Sequence, residues 1–160
     1  MAICVLSAFI TVNLAIKINA SSPDSNISLL WSFAAITGPE DQRTLIALES
    51  DSILYSGDKF KMMFQAEQQC YVYIIFEGAG GEIMMLHPQN LVSLDKPTKS
   101  NERVYIPNAS GWFILDQKSG IETIYLLVSS SPLADLESQL KRYDSALTKD
   151  KTEIAQTIVD

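Results

Sequence analysis

Histidine and cysteine are scarce: the chain of 160 residues holds one His, His87, and two Cys, Cys4 and Cys70. Zinc is bound by His and thiolate ligands at recognisable spacing, and no such spacing exists here. Clustered basic residues are also missing. Lys and Arg number 12 against 19 acidic residues, for a net charge of -7, and the longest basic run is Lys141-Arg142. A nucleic-acid footprint needs a basic patch, so that partner class is excluded. The glycine-rich "EGAGGE" at 77–82 lacks the Lys and Ser/Thr of a phosphate loop. Glu49-Ser50-Asp51 has no EF-hand order, and no G-x-S-x-G or paired-carboxylate pattern occurs. No metal, no cofactor and no enzymatic activity are expected.

What is present suits one ordinary domain, with 47% apolar residues to build a core. Residues 2–16 carry no charge, and a small residue, Ala20, ends the segment before the polar "SSPDSN". An apolar run followed by a small-residue cleavage point is the pattern of an export signal. No Lys or Arg precedes the run, and Lys17 follows it. A short uncleaved anchor, a first strand or a buried helix fits the same residues. At about 15 residues the run is shorter than the roughly 20 a spanning helix needs. The expected division is a signal or short anchor at 1–20, a linker at 21–28, a β-domain at 29–131 and a helical segment at 132–160. The expected location is exported, periplasmic or extracellular. Membrane contact is expected only through residues 2–16, if these are retained.

Beyond the linker, short apolar runs alternate with turn signals. "LLWSFAAIT" ends at Gly38-Pro39, and Ser56-Gly57-Asp58 separates two more runs. Phe60, Met62 and Phe64 alternate with Lys59, Lys61 and Met63, the period of a half-buried strand. "CYVYIIF" is apolar at both parities, as in a strand covered on both faces, and the glycine turn returns it as "EIMMLHP", ended by Pro88. Residues 89–101 read as a loop; "RVYIP", "WFILDQ" and "IETIYLLVSSS" read as further strands. About seven to eight short strands without a long intervening helix predict a mainly β fold, an antiparallel β-sandwich. The end of the chain predicts an amphipathic helix, with Ser131 as N-cap, Pro132 at its first position and a break near 149–151. Leu133, Leu136, Leu140, Tyr143, Leu147, Ile154 and Ile158 form its apolar stripe. The stripe either packs on the sandwich or docks a partner.

Cys70 and His87 are the one pairing with nucleophilic chemistry to consider. A hairpin whose partner numbers sum to about 158 brings them near each other but on opposite faces, so both are expected to be core or turn residues. Trp31, Trp112, Tyr71, Tyr73, Tyr105 and Tyr125 could line a glycan platform; more often such residues fill a core.

Ser56-Gly57-Asp58 before a strand, Cys70-Tyr71 with Tyr73, Gly81 before a strand ending Leu86-His87-Pro88, Ile106-Pro107, and Gly120-x-Glu122 before a strand ending at Ser129 occur in this order over 45–132. In that order they resemble the DUF4384 family of bacterial domains. The chain departs from the family at the hairpin turn and at His87, where a Phe is common. The resemblance implies a small β-rich module of bacterial envelope proteins, with Gly57, Asp58, Cys70, Tyr71, Tyr73, Gly81, His87, Pro88, Trp112, Gly120 and Glu122 as turn and core residues and no catalytic residue to carry over. The expected function is a non-enzymatic interaction or accessory module of the bacterial cell envelope with a protein partner. The helix stripe (Leu133, Leu136, Leu140, Tyr143, Leu147) and the 89–101 loop are its candidate contacts. The alternative is a glycan- or peptidoglycan-binding module.

Overall fold

A computed structural model describes residues 9–19, by their backbone alone, and residues 27–159. In chain order the strands are β1 (Phe9–Asn19), β2 (Leu29–Thr37), β3 (Thr44–Ala47), β4 (Ser52–Tyr55), β5 (Lys59–Ala66), β6 (Tyr71–Glu77), β7 (Ile83–His87), β8 (Arg103–Ile106), β9 (Phe113–Ile114) and β10 (Gly120–Ser129); the helices are α1 (Ala134–Ser145) and α2 (Thr148–Val159). Sheet A has the order β4-β1-β10-β6-β7; sheet B has the order β3-β2-β5-β8, with β9 also pairing β5. All pairings are antiparallel except β1 with β10.

Three layers result. Phe33, Ala35, Phe60, Met62 and Phe64 of sheet B meet Leu54, Val72, Ile74, Ile124, Leu126 and Val128 of sheet A in the main core. On the far side of sheet A, Tyr73, Ile75 and Ile83 pack with Leu140 of α1 and Ala155 of α2. This second cluster explains why β6 is apolar at both parities: one face meets sheet B and the other meets the helices. β5 meets a covering layer on one face only, and its burial alternates residue by residue.

The expected sandwich is present, with differences at four places. First, the β-rich part takes in Phe9–Asn19, ahead of the expected start at residue 29, and β3 and β9 raise the strand number. Residues 1–8 and 20–26, which hold the rest of the expected signal and most of the linker, lie outside the described residues. Second, the β6–β7 register pairs Phe76 with Met84, not with Glu82, and an irregularity between Ile74 and Ile75 puts His87 opposite Ile74. Third, the helical segment is two helices, broken at Ala146-Leu147 and not near 149–151. Fourth, Ser131 does not cap α1. Its N–H donates to Ser129 Oγ, and Leu133 stands at the N-cap without a side-chain cap of its own.

The motif residues hold turns and close approaches. Asp58 Oδ2 accepts the Tyr55 N–H at 2.8 Å, and Gly57 takes φ +86°, so the Ser56-Gly57-Asp58 step caps itself. Gly120 lies where a Cβ would stand 2.4 Å from the Cβ of Ala79 in the hairpin turn, so its lack of a side chain is a packing requirement.

Candidate functional site

The thiol is a core group, and the imidazole is half-buried beside the core. Cys70 is 1% exposed and bridges Thr98 through paired backbone hydrogen bonds; burial raises its thiol pKa above the ordinary value. His87 turns the edge of its ring to Phe64, with centroids 4.9 Å apart, and burial lowers its pKa to about 4, leaving it neutral near pH 7. A reactive thiol needs an exposed, electropositive setting, and Cys70 has the opposite. Iodoacetamide is therefore expected to label Cys70 only after denaturant unfolds the protein. Rapid stoichiometric labelling of Cys70 in the folded chain, read by peptide mass mapping that separates it from Cys4, would contradict the core assignment. Among the described residues no group of three or more His, Cys, Asp or Glu is placed to hold a metal ion.

The helix stripe is already occupied. Leu133, Leu136, Leu140 and Tyr143 pack on the outer face of sheet A with Tyr71, Tyr73 and Ile75. The candidate contact assignment is corrected for these four: the face expected to dock a partner holds the helices to their own sheet. Leu147, at the break between α1 and α2, is 67% exposed. The join is reinforced by polar groups. The Tyr73 hydroxyl donates to Glu137 Oε1 at 2.6 Å and accepts the Leu133 N–H at 3.1 Å, while Tyr143 Oη accepts the Ile83 N–H at 3.0 Å. The 89–101 loop is pinned by Thr98, by buried Leu94 and by the Asn101 N–H to the Ala66 carbonyl, though Val92 stands out.

The aromatics are divided among separate places in the fold. Trp31 packs against the main core, Tyr71 and Tyr125 lie in the helix-side cluster, and Tyr73 is buried there. Tyr105 and Trp112 share the Lys61 ammonium, which sits over both rings, 4.9 Å from the Trp112 centroid and 6.0 Å from that of Tyr105. That cation, also bound to the Ala109 carbonyl at 2.8 Å, occupies the ring face a sugar would need.

A surface that sequence reasoning missed lies on the outer face of sheet B. Register places Leu45, Ile36, Lys59 and Ile114 in one row across β3, β2, β5 and β9. Parallel rows hold Ala47, Ala34 and Lys61, then Ser32, Met63 and Tyr105. Leu45 is 66% exposed, Ile114 65% and Leu30 58%. A strand with one face to water ordinarily carries polar residues there. Here aliphatic side chains from four strands share that face with two lysines.

One buried carboxylate stands apart. Glu122 is 7% exposed and its Oε2 has no hydrogen-bond partner. Burial, then the charges of Asp116 and Glu82, raise its pKa from 4.5 to about 7, with Lys118 opposing. Lys118 is held 3.1 Å from Glu82 Oε1.

Residues 53–132 match the family described as Domain of unknown function (DUF4384). No curated protein matches the chain at a significant level. Two solved structures that are similar to it are crystal structures of the major pilin from Streptococcus pyogenes, one of them a point mutant. They have TM-scores of 0.33 and 0.30, identities of 8% and 9%, and coverage of 78% of this chain. The chain spans 48% of each pilin chain, and likeness at this level carries no argument about fold or role.

Proposed function

We propose, on the premise that the chain belongs to the DUF4384 family through residues 53–132, that it is a non-enzymatic interaction module of the bacterial cell envelope that binds a protein partner through the outer face of sheet B. The observation that carries this reading is the row of outward aliphatic side chains Leu45, Ile36 and Ile114, with Leu45 and Ile114 each more than half exposed and Leu30 further along the same face. Grouped exposed apolar surface on a soluble domain marks contact sites. Covering three such side chains contributes about 1.5–3 kcal/mol apiece before the costs of association. Lys59, in the same row as Leu45 and Ile114, fits acidic or carbonyl groups at the rim of a partner. The apolar run at residues 2–16 supports an exported, periplasmic or extracellular location. Cys70 in the core and His87 beside it serve packing in this reading, not a reaction.

The test is affinity capture from a bacterial envelope extract with the full chain as bait, beside the Leu45→Glu/Ile114→Glu double variant. Both positions are exposed, so the variant is expected to keep its unfolding free energy within about 1 kcal/mol. The expected result is a protein recovered by the natural chain and depleted at least about tenfold by the variant. Equal recovery by both baits would sink the assignment of this face.

A further inference from the structure

β1 lies inside sheet A, between β4 and β10, and not at its edge. On one side it pairs with β10 over ten parallel positions, from Ile10 with Gly120 to Asn19 with Ser129; on the other it pairs with β4 over four antiparallel positions. The flanking strands are core strands: Leu54, Ile124, Leu126 and Val128 are each at most 2% exposed. If the seat were emptied, the facing backbone N–H and C=O groups of β4 and β10 would lose their partners next to a dry core. Buried backbone groups do not stay unpaired, and an exposed strand edge recruits another strand. The seat must therefore hold a strand from some source.

The sequence of β1 suits the seat, with Ile10, Val12, Leu14, Ile16 and Ile18 at alternate positions. Ile10, Val12, Leu14 and Ile16 also belong to the apolar run at 2–16 that reads as part of an export signal. The cleavage point read from that run, Ala20, directly follows Asn19, the last residue of the strand. Removal of the signal would take away all of β1 and no other strand. One segment thus carries two uses that exclude each other.

We propose that the slot between β4 and β10 is a strand-accepting site. Hydrolysis of the Ala20–Ser21 peptide bond by a processing peptidase, with water adding across the bond, withdraws β1. The slot then takes an extended segment of another protein chain. That segment runs parallel to β10, antiparallel to β4, and is aliphatic at alternate residues. Main-chain pairing supplies affinity and the alternate side chains supply selectivity. This site lies in sheet A and goes beyond the sheet B reading; either can fail without the other.

The test uses the full chain with a specific protease site replacing residues 21–26. After cutting, a fluorescent peptide of residues 9–19 is added in excess, beside a comparator with Leu14, Ile16 and Ile18 each changed to Asn. The expected result, by fluorescence anisotropy and native mass spectrometry, is a 1:1 complex with the natural peptide and at least about 100-fold weaker binding of the comparator. No complex, or equal binding of both peptides, overturns the proposal. A second arm uses the uncut Leu14→Asn/Ile16→Asn chain. The natural peptide in trans is expected to raise its Tm toward the natural value, or to restore folding if the variant has lost it. An unchanged melting curve overturns the proposal in either case. The Leu45→Glu/Ile114→Glu chain, cut in the same way, is expected to take the peptide normally, which separates this site from the sheet B face.

Discussion

Replacing Tyr73 by Phe is expected to destabilise the protein by about 3 kcal/mol, far more than the loss of one hydroxyl on a surface. The hydroxyl serves two partners in the second core. It donates to Glu137, which is only 7% exposed, and it accepts the Leu133 N–H at the start of α1. Helix N-termini leave N–H groups to be satisfied from outside the helix. The expected Ser131 cap is absent, and a tyrosine 60 positions upstream accepts the Leu133 N–H directly before the helix. The substitution therefore leaves a buried carboxylate and a backbone donor without this partner at once. Burial and the Glu137 contact also push the Tyr73 hydroxyl pKa well above the ordinary range, so it remains a donor at all working pH values. Guanidinium unfolding followed by circular dichroism measures the loss. A change below about 1 kcal/mol would mean that the Tyr73 hydroxyl does not help to hold α1 on the sheet. A double-mutant cycle with Glu137→Leu should show strong coupling, because removing both polar groups leaves less unsatisfied than removing one.

Glu122→Gln is expected to abolish a pH dependence of similar size. In the folded chain this carboxyl titrates near 7, above its ordinary value of 4.5. A raised acid pKa means that folding favours the protonated form. The associated stability is fully present below about pH 4.5 and is lost as pH rises through about 7. At about 1.4 kcal/mol per pKa unit the loss is at most about 3 to 4 kcal/mol by pH 8. The natural protein should thus become easier to unfold between about pH 5 and pH 8, and the Gln variant should show a flatter profile and be the more stable of the two at the upper end. Unfolding free energies at three or more pH values decide the matter. A natural profile as flat as that of the variant would show that Lys118 offsets both the burial of Glu122 and the charges of Asp116 and Glu82.

Much of the fold was legible because burial leaves a periodic trace. β5 alternates as Phe60, Met62 and Phe64 require, and β6 loses the alternation because two layers cover it. What was not legible depends on long-range partners. The same alternation of aliphatic residues serves a strand and an export signal, so residues 9–19 could not be assigned by composition alone. The irregularity at Ile74/Ile75 moves His87 without a local signature, and the group that accepts the Leu133 N–H comes from a distant strand. The helix stripe was correctly read as apolar, but periodicity does not reveal whether a helix faces its own sheet or a partner. For the same reason the sheet B surface escaped notice. Leu30, Leu45 and Ile114 lie on three separate strands, and only the register of β2, β3, β5 and β9 brings them to one face.

The central claim is that this face meets another protein, and site-specific photo-crosslinking tests it most directly. A photoreactive amino acid is placed at Leu45, at Ile114 and, as a control, at the exposed Asp95 of the 89–101 loop, in the full chain expressed in its native envelope. The account predicts adducts to the same protein from positions 45 and 114 and none from 95. No adduct from 45 and 114, or the same adducts from all three positions, would contradict it.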